Sequence, residues 1–142
     1  MPGKPPLTDV ILGINVTALA VEQPAGSPVN IIDSSLPFDV IVTFQVSGIA
    51  RFLPVAYRVN YYYESIGPGG EGTFNPPGNT GLLSAVPVTG ATSTYAGPQT
   101  RFTVPSNTLT PDRTWKLAAT LDIPAFAGRD GYVEGPVIGT GP

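Results

Sequence analysis

The chain contains neither histidine nor cysteine, which removes the usual general base near neutral pH, the commonest neutral metal ligand and every thiolate. Ser-His-Asp and Cys-His constellations cannot be built, and a zinc site would have to rest on carboxylates alone. Ten Asp and Glu residues remain, and a pair of them can serve as acid and base in glycoside hydrolysis. Glu64 and Glu71 flank a Gly/Pro-rich loop, while Asp112, Asp122, Asp130 and Glu134 fall at or near predicted strand ends. Nothing in their spacing pairs them, so they read as solvated turn residues. Calcium asks for several converging oxygen ligands. No Asp-x-Asp-x-Asp run is present, and Asp33, Asp39 and Asp130 are candidates whose turn and strand-edge roles come first. Gly67-Pro68-Gly69-Gly70 lacks the lysine and the strand-to-helix setting of a phosphate-binding loop. The expectation is a non-enzymatic chain with no cofactor and no metal.

Aromatic side chains offer a different chemistry. Tyr57, Tyr61, Tyr62 and Tyr63, with Tyr95 and Tyr132, carry the flat amphipathic rings that binding surfaces use for sugars, prolines or protein partners. If Tyr57, Tyr61 and Tyr63 face a core, Tyr62 faces outward beside Arg58 and Asn60. That trio, joined by Ile41 on the nominally solvent face of an earlier strand between Asp39 and Thr43, is the predicted contact surface. Asn15-Val16-Thr17 fits the glycosylation acceptor pattern, a three-residue match that chance supplies often.

These residues need strands to position them, and the composition favours strands. A chain of 142 residues is the size of one domain, expected over 1–142 with Pro/Gly-rich terminal arms at 1–6 and 139–142. With 42% hydrophobic and 12% charged residues it has the material for a core, and its 17 Gly and 17 Pro demand frequent turns. A net charge of −3 leaves no basic surface to neutralise a run of phosphates, so no nucleic acid is expected. Lys4, the apolar stretch Val10–Leu19 and Ala18-Leu19-Ala20 imitate a secretory leader. Pro5-Pro6, Asp9 and Asn15 spoil it, and a strand fits better. No run approaches the apolar length of a spanning helix, so no membrane insertion is expected, and the compartment stays open.

Period-two alternation marks the strands. Phe38, Val40, Val42, Phe44 and Val46 share one face; Tyr57, Val59, Tyr61 and Tyr63 alternate with Arg58, Asn60, Tyr62 and Glu64. Trp115, Leu117, Ala119, Leu121 and Ile123 repeat the pattern between Pro111 and Pro124, which confine the segment to strand length. Further strands are predicted at Leu7–Val21, Leu82–Val88, Gln99–Val104 and Tyr132–Ile138, with Arg129-Asp130-Gly131 as a hairpin tip and a projecting loop from Gly67 to Gly81. The expected fold is all-β, an antiparallel two-sheet sandwich of about seven strands.

The passage Phe102 to Leu117, through Pro105-Ser106-Asn107, Pro111-Asp112 and Trp115, is similar to the strand E, turn, strand F passage of immunoglobulin and fibronectin type III domains. Trp115 stands where those folds often carry a corner tyrosine, where an indole N–H can bond back to the turn. The inter-sheet cysteines of antibody domains are missing. The resemblance spans roughly residues 7 to 138 at the level of the superfold.

The functional expectation is a structural or interaction module, a self-assembling subunit of a filament, surface layer or virion-like particle. It would use strand-edge pairing and terminal arms such as Pro2 and Pro5-Pro6 to contact copies of itself or another protein. The alternative is a carbohydrate-binding sandwich that uses Tyr62 and loop aromatics such as Phe74, with calcium assisting.

Overall fold

The computed structural model describes residues 11–24, 29–67, 70–74, 80–88, 90–126 and 130–141. The chain is all-β: two sheets pack face to face. One holds β1 (Gly13–Glu22), β3 (Phe38–Ser47), β7 (Thr92–Tyr95) and β8 (Phe102–Val104), with β7 and β8 sharing one edge of β3. The larger sheet runs β2 (Ile31–Ile32), β10 (Asp130–Thr140), β9 (Thr114–Asp122) and β4 (Ala56–Ser65), with β5 (Glu71–Thr73) and β6 (Thr80–Leu82) sharing the far edge of β4. All pairings are antiparallel except β2 with β10.

The alternations of β3, β4 and β9 become the two inner faces. Val40, Val42, Phe44 and Val46 meet Tyr57, Val59 and Tyr61, and Trp115, Leu117, Ala119 and Leu121 fill the same layer. Phe44 stacks on Tyr95 at 4.7 Å between centroids and meets Tyr57 edge-on at 5.3 Å. Such ring pairs add about 0.5–1.5 kcal/mol each beyond the area they bury.

β1 escapes simple alternation because it carries a bulge. Val16 opposes Phe44 and Ala18 opposes Thr43, so Thr17 is the extra residue, and the side-chain parity flips across it. Ile14 and Val16 turn inward before the bulge, Leu19 and Val21 after it. β10 has a matching irregularity between Glu134 and Val137, at Gly135-Pro136. A Cβ on Gly131 would lie 2.2 Å from Val16 Cγ2, and one on Gly135 2.3 Å from Leu19 Cδ2. Bare backbone at these two positions lets β1 close against β10.

Several expectations are corrected. The segment 82–88 is a strand only to Leu82 and then a 3₁₀ turn over Leu83–Ala85; 99–104 is strand only from Phe102. The 67–81 loop contains β5 and the start of β6. Its aromatic, Phe74, is 2% exposed and packs against Phe38 and Tyr63, because an apolar ring at the rim of a core gains more by turning in. The terminal arm at 139–142 begins inside β10: Gly139 and Thr140 pair with Ile31 and Ile32, and the Thr140 hydroxyl donates to the Thr110 carbonyl at 2.7 Å. Trp115 is buried, but among the described residues its indole N–H has no acceptor, so the bond back to the 105–112 turn is not made. Residues 1–10 and 127–129, and with them the leading arm and Arg129, lie outside the described residues.

Candidate interaction face

Sheet pairing decides which outward side chains become neighbours. On the outer face of the larger sheet, Tyr62 stands opposite Ala118 and Ala118 opposite Glu134. Asn60 lies opposite Thr120 and Thr120 opposite Tyr132, while Lys116 faces Val137 and Ile31 faces Gly139. The result is a continuous surface across β4, β9, β10 and β2. Tyr132 is 58% exposed, Val137 50% and Ile31 70%. A groove of about 460 Å³ runs through it, lined by Tyr62, Glu64, Glu71, Ala118, Thr120 and Tyr132 among others. A second hollow of about 490 Å³ continues past Thr120 and Tyr132 to Asn60 and Asp122.

Two ion pairs edge the groove. Arg58 binds Asp122 at 2.8 Å, and Lys116 binds Glu134 at 2.9 Å. The Glu134 carboxylate, bonded to the Lys116 ammonium, is held below its ordinary range, and the ammonium is raised by the same bond. The Tyr132 hydroxyl donates to Glu134 at 3.4 Å, and the Tyr62 and Thr120 hydroxyl oxygens lie 3.5 Å apart. Glu64 and Glu71 are direct cross-strand partners at one end of the groove, a juxtaposition that sequence spacing does not reveal.

The predicted trio Arg58, Asn60 and Tyr62 is thus placed together on this face. Ile41 is not with them. It sits on β3 in the other sheet and is 6% exposed, so it is withdrawn from any contact surface. Two residues before it on β3, Asp39 accepts from Arg101 at 2.7 Å and from Thr103 at 2.7 Å, and Arg101 also bridges Glu22 at 2.8 Å. Asp39 is therefore a structural anchor, and Asp33 closes a local turn by accepting from the Ser35 N–H at 2.9 Å. Asp130 begins β10, opposite Asp122. Among the described residues no three His, Cys, Asp or Glu side chains gather to hold a metal.

The inward tyrosines have a structural task. β8 pairs with Phe38–Val40 and β7 with Phe44–Ser47, which leaves a gap along β3 at Val42. Tyr61 reaches across the sandwich into it. The Val42 N–H donates to the Tyr61 hydroxyl at 3.0 Å, that hydroxyl donates to the Thr100 carbonyl at 2.5 Å, and Thr100 Oγ1 donates to the Val42 carbonyl at 2.6 Å. Burial pushes the Tyr61 and Tyr57 phenols up to about 12. Sequence alternation sorted the tyrosines by face; the network was invisible to it because its members are far apart in the chain.

Another apolar area, Ile49, Phe52 and Leu53, lies where β3 turns toward β4. There the buried Arg51 donates to the carbonyls of Gly48 and Gly90 at 2.9 and 2.8 Å. No described helix is long and apolar enough to cross a membrane. Comparison with family models, curated proteins and solved structures gave no match.

Proposed function

We propose that the chain is a non-enzymatic interaction module that self-associates through the outer face of its larger sheet. The observation that carries this reading is the run of Tyr62, Ala118, Tyr132, Val137 and Ile31 across four neighbouring strands, with Arg58 and Lys116 already neutralised by Asp122 and Glu134. Interface centres are enriched in tyrosine and depleted of unpaired charge. The strand order, β1-β3-β7 against β2-β10-β9-β4-β5 with a parallel β2 beside the last strand, supports an immunoglobulin-like version of the sandwich. On this reading the module is a subunit of a larger homomeric assembly, built face to face rather than by strand addition.

The test is light scattering across a wide concentration range, with Ala118→Arg as the variant. Mass should rise with concentration in the parent chain and stay at that of one chain in the variant. A single-chain mass throughout for the parent defeats the proposal.

The groove itself favours a second reading, a glycan-binding module. Tyr62 and Tyr132 with the Thr120 hydroxyl and the Glu64 and Glu71 carboxylates supply ring faces and hydrogen-bonding groups in one hollow. Sugar-dependent thermal stabilisation that Tyr62→Ala removes would support it.

A further inference from the structure

Resting on the reading of this face as a self-association surface, we infer that two copies pair across it about a twofold axis perpendicular to the strands, each strand lying antiparallel over its own copy. The charges of the face point to this arrangement. On β4, Arg58 and Glu64 are both exposed and point to the same side, since an even number of residues separates them. On β9, Asp122 stands in register with Arg58, and Lys116 with Glu64. One end of the face therefore carries a plus-minus row, and the other a minus-plus row.

The two rows are equidistant from one line across the sheet. Tyr61, Ala119 and Val133 stand in register on β4, β9 and β10, and each charged row lies three residues to one side of them on β4 and β9. A half-turn about that line, with the two sheets about 10 Å apart, lays Arg58 over the partner's Glu64 and Asp122 over the partner's Lys116. Each contact occurs twice, as a self-complementary interface requires. Nearer the line the same turn sets Tyr62 over Asn60, Ala118 over Thr120 and Glu134 over Tyr132. None of these pairs brings like charges together. Glu71, directly opposite Glu64, is exposed, and neither carboxylate is in an ion pair with a described residue. Like charges so placed repel, and the partner's Arg58 relieves both. Aligned sheets cross at about 30°, which shifts the end rows sideways by about 5 Å, one strand spacing, within reach of the long basic side chains.

A twofold axis along the strands, between β4 and β9, also alternates these four charges. It lays β5 over β10, however, and there sets Glu71 against the half-exposed Val137, since both stand in the row of Glu64 and Lys116. A carboxylate pressed on a valine loses hydration and gains no partner. The same axis leaves β2, with the exposed Ile31, beyond the overlap. The perpendicular axis covers every strand with its own copy and gives Glu71 a cation. Because a face matched to itself closes at two copies, the pair becomes the repeating unit of any larger assembly.

The experiment is sedimentation velocity on the full chain, on Arg58→Glu and Glu64→Arg separately, on their equimolar mixture, and on Ala118→Arg. Each reversal alone stacks like charges in both symmetric contacts and should weaken pairing at least about tenfold. In the mixture an Arg58→Glu chain meets a Glu64→Arg chain, every stacked pair is again of opposite sign, and a two-chain species should return to within about threefold of parental affinity. Lys116→Glu mixed with Asp122→Lys repeats the test on β9 and replaces it if a β4 variant folds poorly. Under the axis along the strands neither mixture recovers. If Ala118→Arg disperses the assembly while the mixtures associate no better than their components, or while the single reversals associate at parental strength, the face stands and this axis is overturned. If Ala118→Arg associates like the parent, or the parent never associates, the face reading fails and the axis with it.

Discussion

The outer faces of the two sheets use the same materials and reach opposite ends. On the β3 side, Arg101 bridges Glu22 and Asp39, Thr103 completes the Asp39 carboxylate, and Ile41, two residues along β3 from Asp39, is buried. On the β4–β9–β10 side, two ion pairs also form, yet Tyr132, Val137 and Ile31 stay in contact with water. A bridge shared by one cation and two carboxylates uses its charges to seal a surface, whereas isolated pairs at the rim of a groove only remove charge from it. Burial of charge within the chain and neutralisation without burial are thus different devices, and only the second leaves a surface ready for a partner.

The largest expected effect comes from the core beneath the sealed side. Tyr61→Phe strips the hydroxyl that serves the Val42 N–H and the Thr100 carbonyl, and two buried backbone groups left without partners should cost about 3 kcal/mol in denaturant unfolding. Asp39→Ala removes the acceptor of the Thr103 hydroxyl and one of the two carboxylates that Arg101 Nη1 bridges, with an expected loss of about 2 kcal/mol on the same measurement. If Asp39→Ala cost no more than a surface substitution, the ion bridge would not be what seals the β3 side.

Alkaline titration comes next. Burial raises the Tyr57 and Tyr61 phenols to about 12 from the ordinary 10.0, so the folded state prefers them neutral. Their contribution is full below about pH 10 and is lost as pH rises through 12. Unfolding free energy should begin to fall near pH 10, and phenolate absorbance should show these two tyrosines titrating late; both titrating near 10 would contradict their burial.

The open side should respond least in stability and most in association. Ala118→Arg is expected to change unfolding free energy by under about 0.5 kcal/mol while dispersing the assembly. Lys116→Ala should leave the unfolding midpoint where it is, since its ion pair is solvent-exposed. A large loss of stability from either would mean that this face, too, is part of the fold's own closure.

Much of the sandwich was legible in the sequence. β4 and β9 bury one face, and β3 buries one face along its whole length and both over Phe38–Val42; alternation reports the shared inner face directly. β2 is two residues long and β5 three, too short for a period to declare itself. β7, Thr92-Ser93-Thr94-Tyr95, turns only Ser93 and Tyr95 inward and has little apolar weight. The Thr17 bulge scrambles the parity of β1. The outward direction of Tyr62 was legible for the same reason as β4 itself. Its neighbours Ala118, Thr120 and Tyr132 were not, because they are assembled by register between strands distant in the chain, and no local pattern encodes register. Ile41 misled because a polar neighbour on each side does not say what lies above it.

The bare stretches of β10 at Gly131 and Gly135 bear on the chain's behaviour when concentrated. By letting Val16 and Leu19 close over them, they fasten β1 to β10 and withdraw that side of the sandwich from backbone pairing. The opposite side ends in β7 and β8 beside β3, and β5 and β6 beside β4, none longer than four residues. A growing cross-β stack needs a long flat edge to copy, and this chain presents a latch on one side and broken rails on the other, so crowding should drive it toward reversible clusters and away from amyloid.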